Sequence, residues 1–112
     1  MKRIEAVVRP HKRDEITDAL AGIGITGITV VEIQGHGRQR GHTAQYRGAE
    51  YRIELVPKVR IEVVTDDAFV RRVVETIERL AKTGTIGDGK IFVVPVDDCM
   101  RIRTGETGDQ AL

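Results

Sequence analysis

The sequence predicts an α+β fold in which two βαβ halves build one antiparallel sheet with both helices on the same face. Three observations predict it. Apolar residues alternate with a period of two and then recur at helical spacing, and this order occurs twice. The tripeptide RIE opens a strand before a helix at residues 3–5 and again at 60–62. Between the halves, which match in length and plan, lies a glycine- and arginine-rich stretch with no apolar periodicity. Two such halves form the ferredoxin-like arrangement.

In order, residues 3–8 (RIEAVV) form a first strand, with Ile4, Ala6 and Val8 on one side. A helix follows Pro10. Ile16, Ala19, Leu20 and Ile23 fall at i, i+3, i+4 and i+7, and Asp14 and Glu15 sit in the first turn, where the helix dipole favours negative charge. Gly22 and Gly24 end it. Residues 25–34 (ITGITVVEIQ) are rich in β-branched side chains and form a second strand, with Gly27 marking a bulge or a close backbone approach. Residues 35–50 form a long loop, and order resumes near 51–55. Past Pro57, Val59, Ile61 and Val63 define a third strand. Asp66 caps a second helix, whose stripe is Val70, Val73, Val74, Ile77 and Ala81. A glycine-rich turn over about 82–90 leads into a fourth strand at 91–96. The C-terminal segment, about 97–112, is polar and irregular, with a short extended piece around Arg101. All 112 residues read as one domain.

Composition excludes several classes of function. Net charge is +1, from 18 basic and 17 acidic residues, so a general nucleic-acid coat lacks its basic excess. Aromatics at 4% are too few for a base-stacking platform. The apolar runs are too short to span a bilayer. A single cysteine, Cys99, allows no intrachain disulfide, which fits a reducing cytoplasm. The chain contains no serine, which removes a serine triad. His11, His36 and His42 show no zinc spacing, so no transition-metal site is expected, and no paired acid and base suggests a catalytic residue.

Three segments carry possible chemistry. Residues 84–90 (GTIGDGK) fit the first positions of a P-loop, but Ile91 replaces the metal-binding hydroxyl and the context is helix–loop–strand. What remains is that Gly87, Asp88 and Gly89 can turn backbone N–H groups toward an anion beside Lys90. Taken alone, the segment reads better as an ordinary turn. Arg101 and Arg103, two apart on an extended segment, share a face and can fork onto phosphate oxygens, though an isolated basic pair is more often simply solvated. The loop over 37–55 offers free backbone N–H groups at Gly37, Arg38, Arg40 and Gly41, and a neutral hard ligand for Mg²⁺ in the Gln39 amide oxygen. Lys58 stands at its far end.

Three stretches, GRQRGHTAQYRGAEY at 37–51, TGTIGDGKIFV at 83–93 and RIRTGETG at 101–108, occur together and in order, and with them the whole chain resembles the PII nitrogen-regulatory signal proteins. The resemblance implies a homotrimer of ferredoxin-like subunits that binds ATP or ADP in clefts between them and acts through its mobile loop. It implies nucleotide contacts at Thr29, Gly37, Arg38, Glu62, Val64, Gly87, Asp88, Gly89, Lys90, Arg101 and Arg103. It implies 2-oxoglutarate contacts at Gln39, Arg40, Gly41 and Lys58, with Mg²⁺ held by Gln39, ATP and 2-oxoglutarate, and nucleotidylation of Tyr51. It implies as partners an ammonium channel, a nucleotidyltransferase that modifies glutamine synthetase, or N-acetylglutamate kinase. The location is then cytoplasmic, with a membrane reached only through a channel partner.

The chain departs from the common pattern at His11 and His36, where phenylalanine is usual, at Arg13, where leucine is usual, and at Ala49, where some members carry a phosphorylated serine. An unperturbed histidine at 36, beside the loop, titrates near neutral pH and is expected to make effector affinity pH-sensitive. The sheet face away from the helices carries Glu5, Val7, Arg60, Glu62 and Val64. This mixed surface suits an interface between copies better than it suits solvent. Two competing readings are a small phosphate-ester or acyl-phosphate hydrolase on the same fold, and RNA binding on the open sheet face.

Overall fold

The computed structural model describes the chain outside residues 36–41, 47–48 and 54, and at 42–46 and 49–53 it describes the backbone. Strand β1 (Lys2–Val8) is followed by a 3₁₀ turn (Pro10–Lys12), α1 (Arg13–Gly22), β2 (Ile28–Gly35), β3 (His42–Tyr46), β4 (Ala49–Ile53), β5 (Val56–Thr65), a second 3₁₀ turn (Asp67–Phe69), α2 (Val70–Ala81), β6 (Lys90–Pro95) and a final 3₁₀ turn (Gly108–Ala111). The main sheet has the order β2-β5-β1-β6 and all its pairs are antiparallel. This is the four-stranded α+β arrangement expected from two βαβ halves.

The strand phases explain the layering. Ile4, Ala6 and Val8 of β1 and Val59, Ile61 and Val63 of β5 are buried, and Ile16 and Leu20 of α1 and Val73, Ile77 and Ala81 of α2 close over them. A strand alternates its side chains, so the intervening residues Glu5, Val7, Arg60, Glu62 and Val64 take the other face. Pro57 lies in β5 beyond the end of β1, since β1–β5 pairing stops at Val8 and Val59. Its missing N–H therefore costs no bond to β1. The Asp66 carboxylate accepts from the Phe69 N–H at 3.1 Å and starts the turn into α2.

Two expectations need correction. The second strand begins at Ile28 rather than at residue 25, and Gly27 precedes it without a bulge or a close backbone approach. The reason is the end of α1. Gly24 has φ +98°, its N–H reaches the Ala21 carbonyl at 3.0 Å, and the Ile25 N–H reaches that of Leu20 at 3.0 Å. This Schellman motif uses residues 24 and 25 to close the helix. The segment expected as a loop contains an antiparallel pair, β3 with β4, in the register His42 to Ile53 and Tyr46 to Ala49. Its sequence lacks a core-facing alternation because the pair forms its own two-stranded sheet, apart from the main one.

Candidate functional site

Two clusters of the expected residues lie at opposite ends of the sheet. The first is a groove of about 680 Å³ where β2 starts and β5 ends, and Thr29, Glu62, Val64 and Arg101 all line it. Antiparallel register brings these together: Thr29 is opposite Glu62, and Val64 is opposite Arg3. The turn after α1 supplies the adjoining wall through Gly24, Ile25 and Gly27. Glu62 is held by Arg60 in an ion pair at 2.7 Å, and Arg3 pairs in the same way with Glu5 at 2.9 Å. Glu5 and Glu62 are direct cross-strand neighbours, so each carboxylate has its own guanidinium to offset the repulsion.

Arg101 reaches the groove from a short hairpin. Met100 bridges Thr107, the Arg101 N–H donates to the Glu106 carbonyl at 2.9 Å, and the Gly105 N–H donates to the Arg101 carbonyl at 2.8 Å. Residues 101–105 are thus a closed turn, not the extended piece that would put Arg101 and Arg103 on one face. Backbone hydrogen bonds rather than an apolar pattern set this geometry, and spacing does not reveal them. Arg103 is exposed and is not among the groove-lining residues.

The second cluster gathers where β1 ends and β6 begins. Asp88 braces the glycine-rich turn from inside. One carboxylate oxygen accepts from the Thr83 N–H at 2.8 Å and the Gly84 N–H at 2.9 Å; the other takes the Thr83 hydroxyl and Arg9 Nη2, the latter at 3.3 Å. The Thr83 hydroxyl first, and then the backbone donors, hold this carboxyl well below the usual carboxylate range. Arg9 also donates to Thr85 Oγ1 and to the Ile86 carbonyl, each at 3.0 Å. Gly89 packs against the Val7 carbonyl, and Lys90 begins β6 opposite Val7 with its side chain exposed. Lys58 is buried, and its Nζ donates to the Gly87 carbonyl at 2.6 Å. Burial first, then the nearby Arg9 guanidinium, push the Lys58 pKa down, with Asp88 opposing.

Arg9 is the residue that sequence reasoning missed. It lies 79 positions from Asp88, so no spacing rule joins them, and the one available signal was a carboxylate in a glycine-rich turn with no basic residue near it in sequence but Lys82 and Lys90. The expected loop residues Gly37, Arg38, Gln39, Arg40 and Gly41, and His36, lie outside the described residues. Gly35, the last described residue before them, lies beside Lys58, since a Cβ there would stand 3.4 Å from Lys58 Cγ. Tyr51 falls on β4 opposite Ala44, and its side chain lies outside the description. Among the described residues, no group of three or more His, Cys, Asp or Glu side chains is placed to hold a metal ion, and no helix is long and apolar enough to cross a membrane.

A small α+β chain with one open sheet face and two glycine-lined clusters at the sheet's ends is a domain of the ferredoxin-like type. Its residues 1–106 match the family model described as nitrogen regulatory protein P-II, and the chain belongs to that family. Curated relatives align over the full length of both chains. The nitrogen regulatory protein P-II of Azospirillum brasilense is 57% identical over 112 residues. That of Rhodospirillum rubrum and the nitrogen regulatory protein P-II 1 of Escherichia coli strain K12 are each 55% identical over 112 residues.

Proposed function

We propose that this chain is a sensor of adenine nucleotide and 2-oxoglutarate that regulates target proteins through the segment over 37–55. The observation that carries this reading is the groove where Thr29, Glu62 and Val64 meet Arg101. A hydroxyl and groups near the end of β5 beside a guanidinium suit a base at one end of a ligand and phosphate at the other. The cluster of Gly87, Asp88, Gly89, Lys90 and Lys58 suits the remaining anionic groups. Lys58 and Val64 lie six positions apart on β5, which is about 20 Å at the usual rise per residue. One small ligand that uses both clusters therefore needs two chains side by side, each lending a different end of its sheet.

The open sheet face supplies a surface for such an assembly. It carries Val7, Val64 and Phe92 among the paired charges of Arg3, Glu5, Arg60 and Glu62, and Phe92 is 48% exposed in the single chain. A homotrimer with three equivalent clefts is the assembly proposed. Arg103, exposed on the 101–105 turn, joins the phosphate contacts in this reading. Arg103→Ala is expected to weaken ATP binding by about 10- to 100-fold, the worth of a hydrogen bond to a charged group, with an unchanged melting temperature.

2-Oxoglutarate is assigned to Lys58, with Gln39, Arg40 and Gly41 as its further contacts, and the reading is supported by Gly35, the last described residue before them, standing beside that lysine. Mg²⁺ would be held by the Gln39 amide oxygen together with ligand oxygens, a donor set of the hard kind it prefers. Bound there, it neutralises phosphate charge. Linkage then requires that nucleotide and 2-oxoglutarate tighten each other by the same factor. Gln39→Ala is expected to remove that coupling, about 1–3 kcal/mol, while ATP affinity is largely kept. Coupling that persists in this variant excludes Gln39 as the link.

The targets proposed are an ammonium channel, a nucleotidyltransferase that modifies glutamine synthetase, or N-acetylglutamate kinase. The chain would meet them in the cytoplasm, with Tyr51 as the nucleotidylation site. That curated relatives are named regulatory proteins supports this reading over the hydrolase. Calorimetry with ATP, Mg²⁺ and 2-oxoglutarate, varied one at a time, tests the proposal. A protein indifferent to adenine nucleotides at millimolar concentration overturns it.

A further inference from the structure

Part of the groove wall comes from the segment after Gly108. Asp109, Ala111 and Leu112 line it together with Arg101. The Leu112 carbonyl oxygen accepts from Arg101 Nη2 at 3.1 Å, while Glu106 engages Nη1 at 3.2 Å. A guanidinium forks onto phosphate oxygens through these same N–H groups, so Leu112 and a phosphate compete for Nη2.

The segment is held unevenly. At its root the Gly108 N–H donates to the Cys99 carbonyl at 3.1 Å and to Asp98 Oδ1 at 3.0 Å. Beyond that point no residue of the Gly108–Ala111 turn is buried, and the Leu112 N–H is used within the turn, on the Asp109 carbonyl at 3.2 Å. The bond from Arg101 ties its far end to the rest of the fold. Such a segment can pivot at Gly108 and release Arg101 without uncovering a core side chain.

We propose that residues 109–112 are a strap that closes on Arg101 in the unliganded chain and must swing aside before a phosphate-bearing ligand takes that guanidinium. The strap then sets the apparent nucleotide affinity, and this inference rests on the nucleotide reading above. A strap closed about nine-tenths of the time weakens apparent affinity about tenfold, because only the open fraction is competent.

The test is calorimetric titration of ATP into the full chain, into a variant lacking residues 109–112, and into Asp109→Asn. The deletion is expected to tighten ATP binding about 3- to 10-fold, and Asp109→Asn much less, since it keeps the strap and removes only a nearby negative charge. Equal or weaker binding by the deletion variant overturns the strap while the nucleotide reading stands. A gain in Asp109→Asn as large as in the deletion overturns it too, because the effect is then one of charge alone. If neither the full chain nor the deletion variant binds ATP, the nucleotide reading goes and the strap with it. Carbon NMR gives a measurement free of truncation. In the full chain, ATP is expected to shift the Leu112 carbonyl carbon resonance as that group loses its Arg101 donor, and an unshifted resonance in the ATP-bound protein overturns the proposal.

Discussion

Replacing Gly89 by alanine is expected to abolish nucleotide binding and to lower the melting temperature on the order of 10–20 °C. The residue has φ +100°, a conformation that side chains with a Cβ adopt at a cost of roughly 1–3 kcal/mol. The larger obstacle is space. A Cβ at this position would stand 1.7 Å from the Val7 carbonyl oxygen and 2.8 Å from its carbonyl carbon. These are backbone atoms of β1, which is paired on both sides, with β5 and β6. No rotamer change relieves such a clash, so either β1 shifts or the glycine-rich turn leaves it. Overpacking of this kind adds about 1–3 kcal/mol more. If the turn leaves, Gly87 and Lys90 move with it, and the Lys58–Gly87 contact breaks. Thermal unfolding and ATP calorimetry on Gly89→Ala distinguish the two routes. A variant with wild-type values in both measurements shows that the close packing is not required.

The parts of this fold that sequence made legible are those governed by burial. Ile4, Ala6 and Val8, and again Val59, Ile61 and Val63, alternate because one sheet face must be dry, and the stripes of α1 and α2 follow from the same requirement. What burial does not govern was misread. The start of β2 depended on a Schellman turn at Gly24. The 101–105 turn depended on the Arg101 N–H bond to the Glu106 carbonyl and the Gly105 N–H bond to the Arg101 carbonyl. The β3–β4 pair carries no core-facing pattern to reveal it. The site divides in the same way. Thr29, Glu62, Val64 and Arg101 share a groove, a grouping that the family resemblance implied and spacing did not, and the contact of Lys58 with Gly87 was not foreseen. The inward use of Asp88 and the bracing by Arg9 come from a contact across 79 residues, which local chemistry cannot foretell. Asp88 therefore serves the turn with its carboxylate, leaving its backbone N–H as the group it can offer an anion.

Lys58→Met is expected to cost about 100-fold or more in 2-oxoglutarate affinity and far less in ATP affinity. The ammonium is buried, and truncating one partner of a buried charged pair typically costs 2–5 kcal/mol. Methionine keeps the apolar stem as far as the Cε position, so packing against Gly35 survives. Stability at neutral pH should change little. Burial and the Arg9 guanidinium already disfavour the charged form of Lys58, so the variant sheds that penalty while it leaves the Gly87 carbonyl without its donor. The same shift sets a pH dependence. Because the folded-state pKa of Lys58 lies below the ordinary lysine value of 10.5, the ammonium loses its proton earlier than an exposed lysine would. A dicarboxylate prefers the charged form, so wild-type affinity for 2-oxoglutarate should fall as pH rises toward that range. It should fall before ordinary lysines titrate, and Lys58→Met should show no such fall. In the unliganded protein the sign is opposite. The unfolded chain binds the Lys58 proton more tightly than the folded one, so the penalty is present below the folded pKa and is relieved as pH rises through it. Calorimetry of both proteins with MgATP present, from neutral to alkaline pH, reads the first effect. A wild-type affinity that is flat over that range removes the Lys58 ammonium from the dicarboxylate site.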